Sequence, residues 1–229
     1  MSGPGEHFCQ IQEQVKEKAL AYGKSNEVRL IAVSKTYPSA MLKEVYDAGC
    51  RDFGENRAQE AVKKINAMPA DCRWHFIGTL QKNKIGKILD ASIALIHSVD
   101  TIDLAEKISS ACLVRKLECS ILLQVNTSGE PSKHGFSKEK WESSFEQLNA
   151  LPALRIEGLM TMAPLTDNEA QIRESFRKLF ELREKWKRRM KNPAFFTHLS
   201  MGMTHDYLIA IEEGATLLRV GTAIFRNRN

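Results

Sequence analysis

The feature that most constrains this chain is the regular alternation of short apolar runs with longer amphipathic segments. Eight short runs, rich in β-branched and other apolar residues, predict strands at 29–34, 52–54, 74–78, 94–99, 120–126, 155–160, 196–200 and 217–220. Apolar residues spaced three and four apart predict helices at 38–48, 55–67, 82–90, 101–115, 137–149, 168–191 and 204–213. A further helix is predicted at 10–22, ahead of the first strand.

This order of elements predicts an α/β fold, a single (β/α)₈ barrel of the TIM type that spans residues 1–229 as one domain. The continuous apolar run at 30–33 suits a strand that is covered on both faces, as in a parallel sheet. A doubly wound sheet is the alternative, but it usually has a glycine-rich turn after its first strand, where this chain has Lys35. Only nine residues follow Val220, so we expect the N-terminal helix to complete the outer layer.

Composition argues against several classes of protein. The net charge is +5, but the one dense basic run, 185–191, ends a predicted helix without interleaved aromatic residues, so we expect no nucleic-acid partner. The five cysteines are scattered without a CxxC pair, which indicates reduced thiols and no metal site. No apolar run is long enough to cross a membrane and no signal-peptide pattern begins the chain, so we expect a soluble, cytoplasmic protein.

In such a barrel, chemistry is located at the carboxyl ends of the strands. Lys35 follows the first strand and points its ammonium group either into the barrel mouth or into solvent; by itself it is more typical of a loop lysine. His75, inside the third strand, is interpreted as a buried, hydrogen-bonded histidine. The polar loop at 126–136 is equally consistent with a mobile lid and with a plain surface loop.

The strongest chemical signal follows the seventh and eighth strands. Gly202 and Gly221 each stand in a turn at the end of a strand, and the first of these turns leads into a predicted helix. Such turns expose backbone N–H groups and, in barrels, often bind phosphate. Either glycine alone indicates only a tight turn, whereas the two together predict a phosphate site, to which Ser200 and Thr222 add hydroxyl groups.

Several segments, in this order, closely resemble the pyridoxal phosphate homeostasis proteins, also called proline synthetase co-transcribed homologs. The likeness covers nearly the whole chain and rests on residues 32–36, 53–56, 74–78, 80–84, 158–160, 199–203 and 219–225. It implies fold type III of the pyridoxal-phosphate-dependent proteins, the barrel shared with alanine racemases and bacterial-type ornithine decarboxylases.

The resemblance also implies a cofactor, pyridoxal 5′-phosphate, and its contacts. Its aldehyde would be linked to Lys35 as an imine, Arg219 would face the pyridine nitrogen, and Asn56 would line the pocket. Its phosphate would lie on the two turns that contain Ser200, Met201, Gly202, Gly221 and Thr222. The chain departs from the family at Thr204, where many relatives have serine, and at Arg226, where a glycine is usual.

The leading hypothesis is a carrier with no catalytic residue, which binds the cofactor, buffers its free aldehyde and passes it to apo-enzymes. An arginine at the pyridine nitrogen weakens the ring as an electron sink. In related racemases the second base is a tyrosine from a separate β domain of the partner subunit, which we expect to be absent here, so we expect a monomer. The alternatives are a weak amino-acid racemase that uses Lys35 with water or Tyr37, and a barrel that has lost its ligand and serves as an interaction module.

Overall fold

Eight parallel strands, each paired with the next and the last paired with the first, form a closed barrel. The structure, a computed structural model, describes residues 3–24, 27–127, 135–136 and 138–226. The strands are β1 (Arg29–Val33), β2 (Asp52–Glu55), β3 (Arg73–Phe76), β4 (Leu95–Val99), β5 (Cys119–Gln124), β6 (Leu154–Met160), β7 (His198–Ser200) and β8 (Leu217–Val220). The predicted (β/α)₈ barrel is confirmed.

Helices follow the strands and cover the barrel. They are α1 (Pro4–Ala21), α2 (Ser39–Asp47), α3 (Ala58–Ala67), α4 (Ile85–Asp90), α5 (Ile102–Arg115), α6 (Lys138–Ala150), α7 (Glu169–Lys187), α8 (Tyr207–Glu212) and α9 (Thr222–Phe225). A short 3₁₀ turn, Lys82–Lys84, precedes α4. Two of the long helices begin at side-chain caps: Thr101 accepts a hydrogen bond from Leu104 N, and Asn168 accepts from Ala170 N.

Helix α1 completes the outer layer, as the sequence predicts. It begins at Pro4, six residues before the predicted start, and proline suits the first turn of a helix. It packs against α2, α8 and α9, with Phe8, Ile11 and Val15 buried. Because α9 has only four residues, α1 occupies the place of a full eighth helix.

The barrel interior is partly apolar and partly polar. Five buried apolar side chains form one cluster inside it: Ile31, Leu95, Leu122, Met160 and Leu217. The larger core lies between the strands and the helices and includes Phe53, Phe76, Trp141 and Trp186. Buried polar residues on β2, β3, β4, β7 and β8 occupy the rest of the interior, so that the barrel is closed to bulk water and yet contains hydrogen-bonding groups.

Some element boundaries differ from the predicted ones. Strand β1 ends at Val33 rather than at residue 34, and Lys35 lies two residues beyond its end, in a turn. Strand β7 begins at His198 rather than at residue 196, and α7 ends at Lys187 rather than at 191. Of the loop at 126–136, residues 128–134 lie outside the described part of the chain; Asn126 N donates to Phe136 O across 3.1 Å.

Three absences hold for the described residues. No helix among them is long and apolar enough to cross a membrane. They contain no cluster of three or more histidine, cysteine, aspartate or glutamate side chains that would hold a metal ion. All five cysteines are described and all are free thiols, with Cys50, Cys112 and Cys119 buried.

Candidate functional site

The turns predicted to carry the site converge at the carboxyl end of the barrel. Strands β1 and β8 pair in register, Ala32 opposite Val220, which brings the turn of Lys35 beside that of Gly221. A Cβ on Gly221 would lie 3.1 Å from Val33 O, so the two backbones approach closely there. Ala223 N donates to the hydroxyl of Thr204 across 3.5 Å, which joins the loops after β7 and β8.

The backbone around Lys35 is fixed by charged residues of β2 and α3. Lys64 Nζ donates to Ser34 O at 2.6 Å and to Glu55 Oε1 at 2.5 Å, and both of these charged side chains are buried. Thr36 N donates to Glu60 Oε2 at 3.2 Å, and Thr36 adopts a positive φ of 67°. The turn is therefore held on both sides of Lys35.

The Lys35 side chain itself is exposed and makes no hydrogen bond or ion pair with the described residues. The barrel mouth therefore does not withdraw this side chain from solvent. Its amine is open to a ligand from solvent.

Two buried side-chain oxygens beside this turn have no hydrogen-bond partner. They are Glu55 Oε2 and Asn56 Oδ1, the only such atoms in the described part of the chain. Buried polar atoms nearly always have a partner, which is a protein group, a water molecule or a ligand. Two adjacent unpartnered acceptors at the end of β2 are therefore what a site for a small polar ligand would show.

Arg219 is a buried cation with only neutral partners. Its guanidinium donates to Ser200 Oγ at 2.5 Å and to Thr161 O at 2.9 Å, and it forms no ion pair within the described residues. Burial lowers its pKa to about 10, and the carboxylate of Asp206 acts in the opposite direction. Arg219 is therefore charged at neutral pH, with donors available for a ligand at the mouth.

A chain of buried polar groups leads inward from Ser200. Ser200 Oγ lies 2.7 Å from His97 Nδ1, and His97 Nε2 lies 2.9 Å from His75 Nδ1. His75 Nε2 lies 3.0 Å from Asp52 Oδ1, which also pairs with Arg73 at the opposite end of the barrel. The prediction that His75 is buried and hydrogen-bonded is thus confirmed.

Asp52 and His97 were not predicted as members of the site. They lie 23 and 22 residues from His75 in the sequence and meet it only because β2, β3 and β4 are neighbours in register.

The residues of the two glycine turns differ in their exposure to solvent. Gly202 has a φ of +93°, and a Cβ there would lie 2.6 Å from Ala210 Cβ, so only glycine fits. Thr222 is exposed at the start of α9. By contrast, Met201 is buried in the core and the Ser200 side chain is fully buried between His97 and Arg219. Thr222 is therefore exposed and Gly221 half-buried, whereas Gly202 is buried together with Ser200 and Met201.

Two of the four tyrosine phenols are hydrogen-bonded elsewhere and a third tyrosine is exposed at the end of α1, which leaves Tyr37, two residues from Lys35. The Tyr37 ring stacks on Phe225 with 4.8 Å between centroids. The phenols of Tyr46 and Tyr207 donate to Asp71 and Gln14. Tyr22 is exposed beyond the end of α1.

Comparison with protein families matches residues 10–228 to the alanine racemase N-terminal domain. Among curated relatives, the pyridoxal phosphate homeostasis protein of Aquifex aeolicus is 39% identical over 225 residues, which cover 97% of each chain. The protein of the same name from Homo sapiens is 37% identical over 211 residues, covering 88% of this chain and 77% of the human one.

Solved structures show the same likeness. PipY of Synechococcus elongatus with pyridoxal phosphate bound superposes with a TM-score of 0.81 and 35% identity, covering 93% of this chain and all of PipY. An alanine racemase from Corynebacterium glutamicum superposes with a TM-score of 0.73 at 15% identity, over 98% of this chain and 62% of the racemase, which shows a shared fold alone.

Proposed function

The chain belongs to the pyridoxal phosphate homeostasis proteins, within the wider family of alanine racemase N-terminal domains, and from this premise we propose that Lys35 holds its cofactor. The protein binds pyridoxal 5′-phosphate and takes part in vitamin B6 homeostasis. The observation that carries the assignment of the site is Arg219, a buried cation at the mouth whose partners are all neutral. A ligand with an anionic or lone-pair acceptor offsets the cost of such a charge.

The residues at the mouth fit this cofactor. When bound, it supplies an aldehyde that condenses with a lysine amine to an imine and releases water. Lys35 presents the accessible amine on a fixed turn, and Arg219 offers a charged donor to the ring nitrogen. Asn56, whose side-chain oxygen has no partner, lines the ring pocket.

The phosphate lies on the turns after β7 and β8. Gly202 and Gly221 bring backbone close to the ligand, and the exposed Thr222 adds a hydroxyl donor. Met201 belongs to the same turn and contributes its backbone, since its side chain is part of the core.

We further propose that the protein is a carrier without catalytic turnover of its own. The guanidinium of Arg219 remains charged, which disfavours a proton on the ring nitrogen and so weakens carbanion chemistry. The exposed position of Lys35 leaves its adduct open to an acceptor protein, and we expect apo-enzymes to be those acceptors. We propose that the carrier is a cytoplasmic monomer of one domain.

The test is chemical trapping of the lysine. Borohydride reduction of the loaded protein, followed by peptide mass analysis, should place the adduct on Lys35. Lys35→Ala should abolish both the adduct and the visible imine absorption, whereas Lys43→Ala, which removes an exposed lysine of α2, should change neither. Full imine absorption in Lys35→Ala would overturn the assignment.

A weak amino-acid racemase is the second candidate, because the chain matches a racemase domain family and Tyr37 lies two residues from Lys35. Racemisation requires exchange of the α-proton. Loaded protein incubated in deuterium oxide with alanine and other amino acids should show no deuterium at the α-position if it is a carrier. Exchange that Tyr37→Phe abolishes would favour the racemase.

A further inference from the structure

Three buried polar residues below the mouth have no part in the proposed function. They are Asp52, His75 and His97, which lie on three successive strands. Each contacts the next at 3.0 or 2.9 Å, and the last contacts Ser200 at 2.7 Å. Ser200 in turn accepts from Arg219. A continuous line of hydrogen bonds therefore connects the interior of the barrel to the cation at its mouth.

Asp52, at the inner end of this line of hydrogen bonds, determines which atom donates in each bond. Burial acts to raise the pKa of Asp52, but hydrogen bonds from Arg73 and His75 keep it well below its ordinary value. Asp52 is thus ionised and only accepts, so His75 donates from Nε2. A neutral His75 then accepts at Nδ1 from His97 Nε2. A neutral His97 then accepts at Nδ1 from the Ser200 hydroxyl, the only donor to this nitrogen among the residues that the structure describes.

Both imidazoles are neutral at pH 7. Burial lowers the pKa of His75 below 6.5, although the hydrogen bond that His75 donates to Asp52 acts to raise it, and burial lowers the pKa of His97 well below 6.5. The other charged or titratable groups that face the two rings are Arg29, Arg73, Arg219 and His198. All four oppose protonation when charged, so the direction of the chain is maintained.

We propose that His97 and His75 are positioning residues, which turn the Ser200 hydroxyl inward so that its lone pair holds the cofactor-facing guanidinium of Arg219. This inference rests on the proposed function. A hydroxyl has one proton, and here His97 accepts it. Ser200 therefore orients Arg219 and does not donate its proton to a phosphate.

The first test needs no cofactor. In the ¹⁵N-histidine-labelled protein at pH 7, two-bond ¹H–¹⁵N correlation spectra report which ring nitrogen carries the proton. His75 and His97 should both be neutral with the proton on Nε2. A proton on Nδ1 of His97 would overturn the inference, since Nδ1 would then donate to Ser200.

The second test separates ring from phosphate. Absorbance titrations with pyridoxal 5′-phosphate and with pyridoxal, which lacks the phosphate, are compared for Ser200→Ala and Thr222→Val. Ser200→Ala should weaken both ligands by a similar factor, about tenfold, because it disturbs the donor to the ring. Thr222→Val should weaken the phosphorylated ligand only. A loss in Ser200→Ala that is confined to the phosphorylated ligand would overturn the inference.

A third comparison tests His97 directly. Asparagine keeps an acceptor near the place of Nδ1, and leucine removes it. His97→Leu should shift the absorption maximum of the bound cofactor and weaken pyridoxal, and His97→Asn should restore most of both. Equal effects of the two variants would contradict the positioning role. If the wild type forms no adduct on Lys35, the proposed function fails, while the proton positions in the histidine spectra still decide the hydrogen-bond chain.

Discussion

Lys64 Nζ lies 2.5 Å from Glu55 Oε1, and both side chains are withdrawn from solvent, with exposed fractions of 9% and 0%. The same ammonium group donates to Ser34 O, the residue before Lys35. The pair therefore joins α3 to β2 and fixes the turn that presents Lys35. Such a buried pair costs desolvation, so its value to the molecule lies in geometry more than in net stability.

Removing one partner of this pair should destabilise the protein far more than removing both charges. Lys64→Met leaves the Glu55 carboxylate buried and unpaired, and should lower the free energy of unfolding by about 3 kcal/mol or more. Glu55→Gln combined with Lys64→Met removes the stranded charge and should recover part of this loss. Urea unfolding of the cofactor-free proteins gives the comparison.

The prediction is tested by how much of the lost free energy of unfolding the double variant recovers. Equal losses in the single and double variants would show that packing, and not charge, is what Lys64 contributes. In both variants Ser34 O loses its donor, so we also expect slower trapping of Lys35 by the cofactor.

Gly202→Ala should damage both stability and cofactor binding. The new Cβ would lie 2.6 Å from Ala210 Cβ at a φ of +93°, and strain plus overpacking should cost about 2–4 kcal/mol. Gly23→Ala is the matched control, because Gly23 also has a positive φ but no atom within 4 Å of the added Cβ. It should cost only about 1 kcal/mol and leave the affinity for pyridoxal 5′-phosphate unchanged. Similar losses in the two variants would argue against a tight turn at Gly202.

The fold could be predicted because its determinants are local. Each β strand corresponds to a short apolar run in the sequence. Eight such runs in this order are compatible with only a few chain topologies. The start of α1 could not be predicted in the same way. Residues 3–6 contain two glycines and a proline, and their helical form depends on packing against α2 and α9.

The site could be predicted only in its residue types. The sequence shows Lys35 next to an apolar run, but the chain turns away at Thr36, whose positive φ is rare for a β-branched residue. It shows Ser200 as a hydroxyl near a glycine turn, but whether that hydroxyl faces the ligand or the interior depends on His97, 103 residues away. The contacts that determine the roles of these residues join different strands of the barrel. The separation of two residues in the sequence does not predict such contacts.

Arg219 should matter for binding much more than for folding. In Arg219→Met the relief of a buried charge offsets two lost hydrogen bonds, so we expect the cofactor-free stability to stay within about 1 kcal/mol of wild type. The affinity for pyridoxal 5′-phosphate should fall about tenfold or more. Thermal unfolding without cofactor and absorbance titration measure the two effects.

Arg183→Met is the matched control for this prediction. Arg183 is also largely buried, but it has a carboxylate partner in Glu184 and lies away from the mouth, where it donates to Thr197 O. Its removal should cost about 1–2 kcal/mol of stability with no change in affinity. A large loss of stability in Arg219→Met would instead mark Arg219 as a structural residue.

His198 should make the protein sensitive to mild acid. Burial, helped by the positive charge of Arg29, lowers the pKa of His198 from 6.5 to about 4. Between these values the unfolded chain binds the proton and the folded chain does not, so stability is full above pH 6.5 and is lost as the pH falls toward 4. The loss from this residue should reach up to about 3 kcal/mol.

Replacing His198 by glutamine tests this prediction. His198→Gln should flatten the pH dependence of the free energy of unfolding, measured with urea at pH 7, 6, 5 and 4. The variant His205→Gln, which replaces an exposed histidine, should leave this dependence as in wild type. His75 and His97, whose pKa values are shifted in the same direction, and carboxylates with lowered pKa values such as Glu142 contribute to the slope that remains in His198→Gln. Parallel curves for His198→Gln and wild type would show that His198 does not titrate in this range.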